Sequence, residues 1–437
     1  VDSLTAARAQ MAISLGFHIV FAAIGIGLPL LMVIAEFGYL RTGRPHLLAL
    51  TKKWAKATGL LFAIGAVSGT ALSFEIGLLW PRYMELTGAV VGHLFGLEGF
   101  AFFIEAIFIG LYLYGWDRLS PWQHWWCGVT IAVSGMMSGI LVVGVNAWMQ
   151  LPVGVEFDTA GRVIGTEPLA IFQTYAWWTM ALHAVLASYL AVGFAVAGIY
   201  AAGNLKGRRD DYHRAGLRMG LAVGGVSAIL QMMSGDLLAK FVYKTQPGKF
   251  AAMEAHFETG SYAPIILGGV PDPATGTVHY GLAIPGALSF LATHDPSAVV
   301  PGLDDIPRTD WPNVGLVHLA FDVMVGSGTL LALVAVVFGW FAWRRGASVF
   351  ELRWLLRLIA VTGALGFVGL EAGWIVTEAG RQPWIINGIM RTADAVTQAA
   401  NVASVFWAYA GLYAALGVTS VALLRWIARN DRHMSGG

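Results

Sequence analysis

Residues 373–384, GWIVTEAGRQPW, hold the chemistry that is hardest to explain as packing: an apolar run of membrane-spanning length ends there in Glu378, Arg381 and the tryptophans Trp374 and Trp384. Ionisable groups in hydrocarbon are costly and persist mainly where they serve a function. A helical continuation puts Glu378 and Arg381, three residues apart, on one face. Carboxylate and guanidinium can then meet a cofactor or each other. For this segment alone the alternative is an interfacial salt bridge inside an aromatic belt.

Other awkward residues sit in comparable settings. His183, in WWTMALHAVLASYLAVGF, is surrounded by apolar side chains with Met180 one turn away. A lone histidine on an apolar helix is usually a hydrogen-bonded core residue, yet histidine with methionine is also a haem ligation that raises the iron's potential. Met324, in LVHLAFDVMVGSG, is a candidate partner, and His318, six residues earlier, is its rival. In GLEGFAFFIEAIFIGLYLYGWDRL, Glu98 and Glu105 lie seven residues apart, so both point to one helix face about 10 Å apart along the axis. Two acids in file suggest a proton relay.

The elements that must position these groups are membrane helices. The chain is 57% hydrophobic and only 12% charged, against about 25% charged in an average soluble domain. Seventeen Trp and 54 Gly fit the same class, and a net charge of +1 argues against nucleic acid as a partner. One cysteine, Cys127, permits neither an internal disulfide nor a multi-cysteine iron–sulfur site. No histidine-pair motif suggests copper. Nine segments exceed the roughly 20 residues a spanning helix needs, near 13–40, 54–80, 89–114, 124–147, 176–201, 217–241, 314–343, 354–377 and 401–428. The first is too long for a signal-peptide core and carries His18 and Glu36, so it reads as a retained helix.

Basic residues gather in alternate connections: Arg41, Arg44, Lys52, Lys53 and Lys56; Lys206, Arg208, Arg209 and Arg214; Arg344, Arg345 and Arg353; Arg425, Arg429 and Arg432. The positive-inside rule makes that side cytoplasmic, with the N-terminus outside and the C-terminus inside. His18, Glu75, Glu98, His183, Met324 and Glu378 then all fall in the outer half of the bilayer, on six helices. A cluster of buried cofactors explains that layer better than six solvation accidents. The polar segment 245–313 is far longer than an ordinary connection and lies outside by the same topology.

GRQPW, preceded by a tryptophan and a glutamate, closely resembles the signature near the end of subunit I of the cytochrome bd quinol oxidases, and the resemblance extends over nearly the whole chain. It implies a single all-α transmembrane domain over residues 1–437 with an extracytoplasmic quinol-binding loop at 245–313. FDVMVGSG and WWTMALHAVLASYL resemble the segments supplying methionine and histidine to a low-spin haem b, which carries those roles to Met324 and His183. Asp322 departs from the pattern, because an arginine often stands there, two residues before the methionine. ARAQMAISLGFHIVFAAIGIG is similar to the stretch whose histidine binds a haem of the oxygen site. His18 is then expected on haem d, or on a haem b in its place, and Glu378 on the neighbouring high-spin haem b. Trp374 and Arg381 belong to the same signature. Glu98, Glu105, Asp117 and Ser138 match positions tied to proton delivery from the cytoplasm. KTQPGKFAAMEAHFET resembles the start of the quinol loop, so Lys249 and Glu254 are expected to hydrogen-bond quinol and accept its proton. Without the family these two residues read as part of a solvated amphipathic helix, remote from the iron ligands. The loop looks like the short-loop branch, which includes cyanide-insensitive oxidases. NAWMQLPVGVEF also matches and reads as packing and loop structure.

The resemblance thus implies the haem-bearing subunit of a quinol:O2 oxidoreductase in the bacterial plasma (inner) membrane. It would reduce O2 to water with cytoplasmic protons and so build a proton motive force, beside a second membrane subunit and a small accessory subunit, in contact with lipid. Two other classes share parts of the pattern. A proton-coupled transporter would place its acids at the midplane on broken helices. A di-haem electron carrier would use His183 and Met324 without needing His18 and Glu378.

Overall fold

The computed structural model describes residues 2–159 and 163–430, and Arg432 of the last basic group lies outside them. Among the described residues, nine helices are long and apolar enough to cross a membrane. These spans are α1 (Ser3–Thr42), α2 (Pro45–Leu79), α3 (Pro81–Tyr114), α4 (Pro121–Gln150), α5 (Tyr175–Leu205), α6 (Asp211–Thr245), α9 (Val314–Arg345), the pair α10 (Arg353–Thr362) and α11 (Leu365–Ala379), and α13 (Val402–Asn430). All nine expected segments are present, and most helices run several residues beyond the expected ends. The hydrophobic window marks only the part in hydrocarbon, whereas backbone hydrogen bonding carries the helix on into the interface. The eighth span is not one helix, being interrupted between α10 and α11 at Gly363 and Ala364.

Local chemistry sets the helix starts. Pro45, Pro81, Pro121 and Pro247 open α2, α3, α4 and the short α7 (Pro247–Met253), where a missing N–H costs nothing. Asp2, Thr174, Asp210 and Asn313 cap α1, α5, α6 and α9 with side-chain oxygens. Pro29 lies inside α1, which nevertheless stays continuous.

α1 is the hub, packing against α2, α4, α5, α11 and α13, while α3 pairs with α4, α5 with α6, and α9 with α11. One apolar core joins α1–α6, α9 and α10 toward the basic connections, around Trp54, Tyr112, Phe194 and Leu217. A second lies toward the opposite end around Trp80, Leu94, Trp148 and Ile386. Phe74, Leu78, Phe100, Phe103, Ile107, Trp407 and Val418 point outward, as a lipid- or protein-facing surface requires.

The segment between α6 and α9 is folded. After α7 come two nested antiparallel hairpins, an outer pair β3 (Ile265–Leu267) with β6 (Leu282–Ile284) and an inner pair β4 (Val270–Asp272) with β5 (Thr277–His279). α8 (Ala287–Thr293) follows, and a bridge from Gly260 to Val300 closes the unit. Its core, around Phe250, Phe257, Val300 and Leu303, is continuous with Val317 and Val376 on α9 and α11. Two further hairpins lie outside this segment: β1 (Val155–Phe157) with β2 (Val163–Thr166), and β7 (Trp384–Ile386) with β8 (Met390–Arg391), the latter leading into α12 (Thr392–Ala395).

The closest helix contact is α5 on α6, where a β-carbon on Gly193 would stand 2.4 Å from the Gly224 backbone nitrogen. In a membrane such small-residue seams let packing hold helices together. Gly193→Val is therefore expected to separate α5 from α6, an overpacking cost of about 1–3 kcal/mol. Thermal unfolding in detergent should show a lowered Tm, and an unchanged Tm would mean that the seam tolerates bulk.

Candidate haem cavity and loop site

A cavity of about 830 Å³ opens among α1, α2, α3, α4, α5 and α11, toward the upper end of the ~300–1,000 Å³ of small-molecule sites. His18, Glu98, Glu105, Ser138, Trp374, Glu378 and Arg381 all line it. Residues from four helices, distant in sequence, thus face one space.

His18 Nδ1 lies 3.0 Å from the Ser68 hydroxyl. A β-carbon on Gly69 would meet the imidazole Cε1 at 2.8 Å, so the ring needs a glycine opposite it. Arg381 donates to Glu378 Oε2 at 2.5 Å and to the Ile385 carbonyl at 3.0 Å, which ties the end of α11 to β7. Asn146 Nδ2 donates to the other Glu378 oxygen. Ser138 donates to Glu98 Oε1 at 2.9 Å. Glu105 is 4% exposed, and its Oε1 has no partner among the described residues. The same is true of Arg381 Nε.

The cavity fits a haem. Its walls are mostly apolar, His18 and Glu378 offer an imidazole and a carboxylate as ligands, and the orphaned Arg381 Nε suits an anionic edge such as a propionate. Arg8 also lines the cavity and supplies a second cation.

His183 and Met324 do not line this cavity. His183 sits at the α5–α6 seam, with Nδ1 3.0 Å from Ser234 Oγ and with Nε2 2.9 Å from the Gln231 side-chain nitrogen. A hydrogen bond at Nδ1 is what orients an imidazole for ligation through Nε2. Met324 lies against α11, and a β-carbon on Gly373 would come 3.0 Å from its sulfur. An imidazole and a thioether on helices flanking α6 suit a low-spin haem. The rival for the second ligand, His318, is already engaged. Its Nδ1 is 2.8 Å from the Met253 carbonyl and its Nε2 3.2 Å from that of Gly268, both in the long loop.

Other expected positions fall differently. Asp117 is exposed in the turn after α3 and does not touch the cavity. Glu75 is fully buried on α2 outside the cavity lining, with neither carboxylate oxygen partnered among the described residues. Asp322, which departs from the family pattern, accepts from the Gly268 backbone N–H at 2.8 Å.

Lys249 and Glu254 correct the expectation of a solvated helix remote from the iron ligands. Both are buried, at 7% and 8% exposure. Lys249 Nζ donates to Gln150 Oε1 and to the Thr377 carbonyl, each at 3.2 Å, one residue from Glu378. Burial, with the Arg381 charge added, pulls the Lys249 pKa down to about 7 against the opposing effect of Glu378. Burial, with the Asp322 charge added, pushes the Glu254 carboxyl up to about 8. The amides Asn146 and Gln150 were not recognised as site residues from sequence, where NAWMQ reads as packing. The signal available was two amides one turn apart at the end of an apolar span.

Fold and cavity together define a multi-pass helical membrane protein built around an internal cofactor site. The chain matches the family model for cytochrome bd terminal oxidase subunit I over residues 6–432. It is 35% identical over 434 residues to a Bacillus subtilis (strain 168) protein provisionally named cytochrome bd menaquinol oxidase subunit I, covering 98% of this chain and 97% of the relative. To the cytochrome bd-II ubiquinol oxidase subunit 1 of Escherichia coli (strain K12) it is 28% identical, covering 98% and 96%. The solved bd oxidase from Geobacillus thermodenitrificans superposes with a TM-score of 0.93 at 36% identity, covering 98% of this chain and 99% of that one. The chain belongs to the cytochrome bd terminal oxidase subunit I family, a haem-containing respiratory oxidase subunit spanning the bacterial membrane and working with a second subunit.

Replacing Met324 with Leu, which nearly conserves volume, should leave the protein inserted but abolish the low-spin haem absorbance. His318→Ala should loosen the loop yet retain that absorbance. The reverse pattern in reduced-minus-oxidised spectra would move the second ligand to His318.

Proposed function

We propose that this chain oxidises quinol at its long loop and reduces O2 to water in the cavity, drawing the protons from the side of the basic connections and so generating a proton motive force. The observation that carries the reading is that His18, Glu378, Glu98 and Glu105 line one cavity, with buried Lys249 hydrogen-bonded to Thr377 beside Glu378. A plain electron carrier has no use for that second set of ligands and acids.

The haems, when bound, supply one-electron transfer and oxygen chemistry. His183 and Met324 would hold the low-spin haem b, and His18 and Glu378 the high-spin pair, a haem b and a haem d or second haem b. The remaining steps belong to the protein. Each quinol gives up a pair of electrons and a pair of protons. Lys249 would hydrogen-bond a quinol oxygen, and Glu254 would take one hydroxyl proton on its carboxylate while the other leaves to water. Arg381 donates to the Glu378 carboxylate and fixes its place in an apolar wall. Trp374 closes one side of the cavity. Glu105 and Glu98 hold protons in file on α3, and the Ser138 hydroxyl orients the Glu98 carboxylate. Asp117, exposed at the far end of the same helix, is placed to collect protons from water.

Proton delivery is tested by Glu105→Gln, since an amide of nearly the same shape cannot bind and release a proton. Oxygen reduction in liposomes should fall about a hundredfold with haem content unchanged. Full turnover would show that protons reach oxygen by another route.

The loop makes a separate test through pH. A base is competent when ionised, and the Glu254 pKa stands at about 8. Quinol oxidation should therefore rise with pH toward about 8, and Glu254→Gln should remove that limb while lowering the rate. For stability the sign is opposite: a raised carboxyl pKa favours the fold below the ordinary value of 4.5, and that contribution is lost as pH rises through about 8. A wild-type pH profile in Glu254→Gln would remove this residue from the reaction.

A further inference from the structure

We propose that Asn146 and Gln150, on the last turn of α4, are positioning residues that join the quinol loop to the oxygen cavity through one buried hydrogen-bonded run. The inference rests on the roles given above to Lys249 and Glu378. It adds that the two sites are mechanically one.

The run can be followed atom by atom. Lys249 donates to Gln150 Oε1 at 3.2 Å. Gln150 Nε2 donates to the Thr377 carbonyl at 3.2 Å and reaches Asn146 Oδ1 at 3.5 Å. Asn146 Nδ2 donates to the Glu378 carboxylate, whose other oxygen takes Arg381. The 3.5 Å contact is the longest, but Lys249 and Gln150 also share the Thr377 carbonyl, one residue before Glu378. A backbone atom next to the ligand therefore braces the run.

Two details argue that the amides are placed for this purpose. Gln150 is 1% exposed and Asn146 8%, and residues four apart on a helix present one face. An amide also offers both a donor and an acceptor. Gln150 needs both at once, accepting from the ammonium and donating toward α11, which neither a carboxylate nor a hydrocarbon side chain can do. The backbone secures the same turn, with Asn387 Nδ2 donating to the Gln150 carbonyl at 3.3 Å and Asn387 N–H donating to that of Met149 at 3.0 Å. A displacement of Lys249 by quinol thus has a short path of directional contacts to the Glu378 carboxylate.

The experiment uses the complete membrane oxidase carrying Lys249→Ala, Gln150→Ala, Gln150→Glu or Asn146→Leu, each checked for low-spin haem content. Three quantities are read: quinol KM, labelling of Lys249 by an amine-reactive reagent, and the absorbance of the high-spin haems. Gln150→Ala should raise KM by about tenfold, the scale of one charge-assisted hydrogen bond, expose Lys249 to label, and shift the high-spin absorbance. Gln150→Glu keeps the acceptor for Lys249 and loses the donor. It should therefore retain near-native KM and protection while still shifting the high-spin absorbance, and it serves as the test if the alanine variant fails to assemble. Asn146→Leu, which leaves both Lys249 contacts in place, should keep Lys249 protected while shifting the high-spin absorbance, and a native absorbance there also overturns the inference. Protected Lys249 and native KM in Gln150→Ala, or a native high-spin absorbance in Gln150→Glu, overturns the inference. Unchanged KM in Lys249→Ala instead overturns the reading of the quinol site beneath it.

Discussion

A charge placed in an apolar wall must be answered there, and in this molecule Glu378 is answered by Arg381 and Asn146. The Arg381 side chain is only 2% exposed, so its charge depends on Glu378, which is itself 30% exposed. The consequence is geometric. Arg381 must reach both Glu378 and the Ile385 carbonyl, so the chain turns sharply into β7 after α11. Asn146 must come from α4, so the ends of α4 and α11 meet. Lys249 then fills the remaining acceptor at Thr377 and draws α7 onto the same point. One compensated charge therefore registers three chain segments that are more than 90 residues apart in sequence.

The fold was largely legible because the bilayer imposes it. Backbone groups in hydrocarbon must be satisfied within a helix, so hydrophobic length alone gives the nine spans. It cannot give their ends, which depend on caps such as Asn313 and Asp210, nor the interruption at Gly363, where a β-carbon would stand 3.0 Å from Gly198 Cα of α5. The carboxylates and histidines were legible as well, since a rare residue type in an apolar run is a strong signal. What sequence missed follows from its weakest signals. Asn and Gln are uncharged and carry little information in a helix pattern, so the roles of Asn146 and Gln150 are visible only once α11 is beside them. The burial of Lys249 was illegible for a related reason: polarity suggested water, while the covering helices lie far away in the chain.

The first three turns of α9 carry two duties. Its first turns hold the loop, through His318 and Asp322, against Met253 and Gly268. Met324 follows within two turns and faces α11 across Gly373. His318, which the sequence offered as a rival ligand, lies within hydrogen-bond reach of the loop at both ring nitrogens. Asp322 serves the same attachment.

The loop is fastened at its base and left free at its tip. Lys249, Met253 and Gly268 are pinned to α4, α9 and α11, whereas Tyr280, in the turn that joins β5 to β6, is 98% exposed. β4 still packs on α9 and Val278 on the loop core, so within the hairpins the freedom is confined to the turn at Tyr280. The Tyr280 turn is therefore a place where the protein can diversify, or accept an inserted epitope or reporter, while its redox core stays fixed.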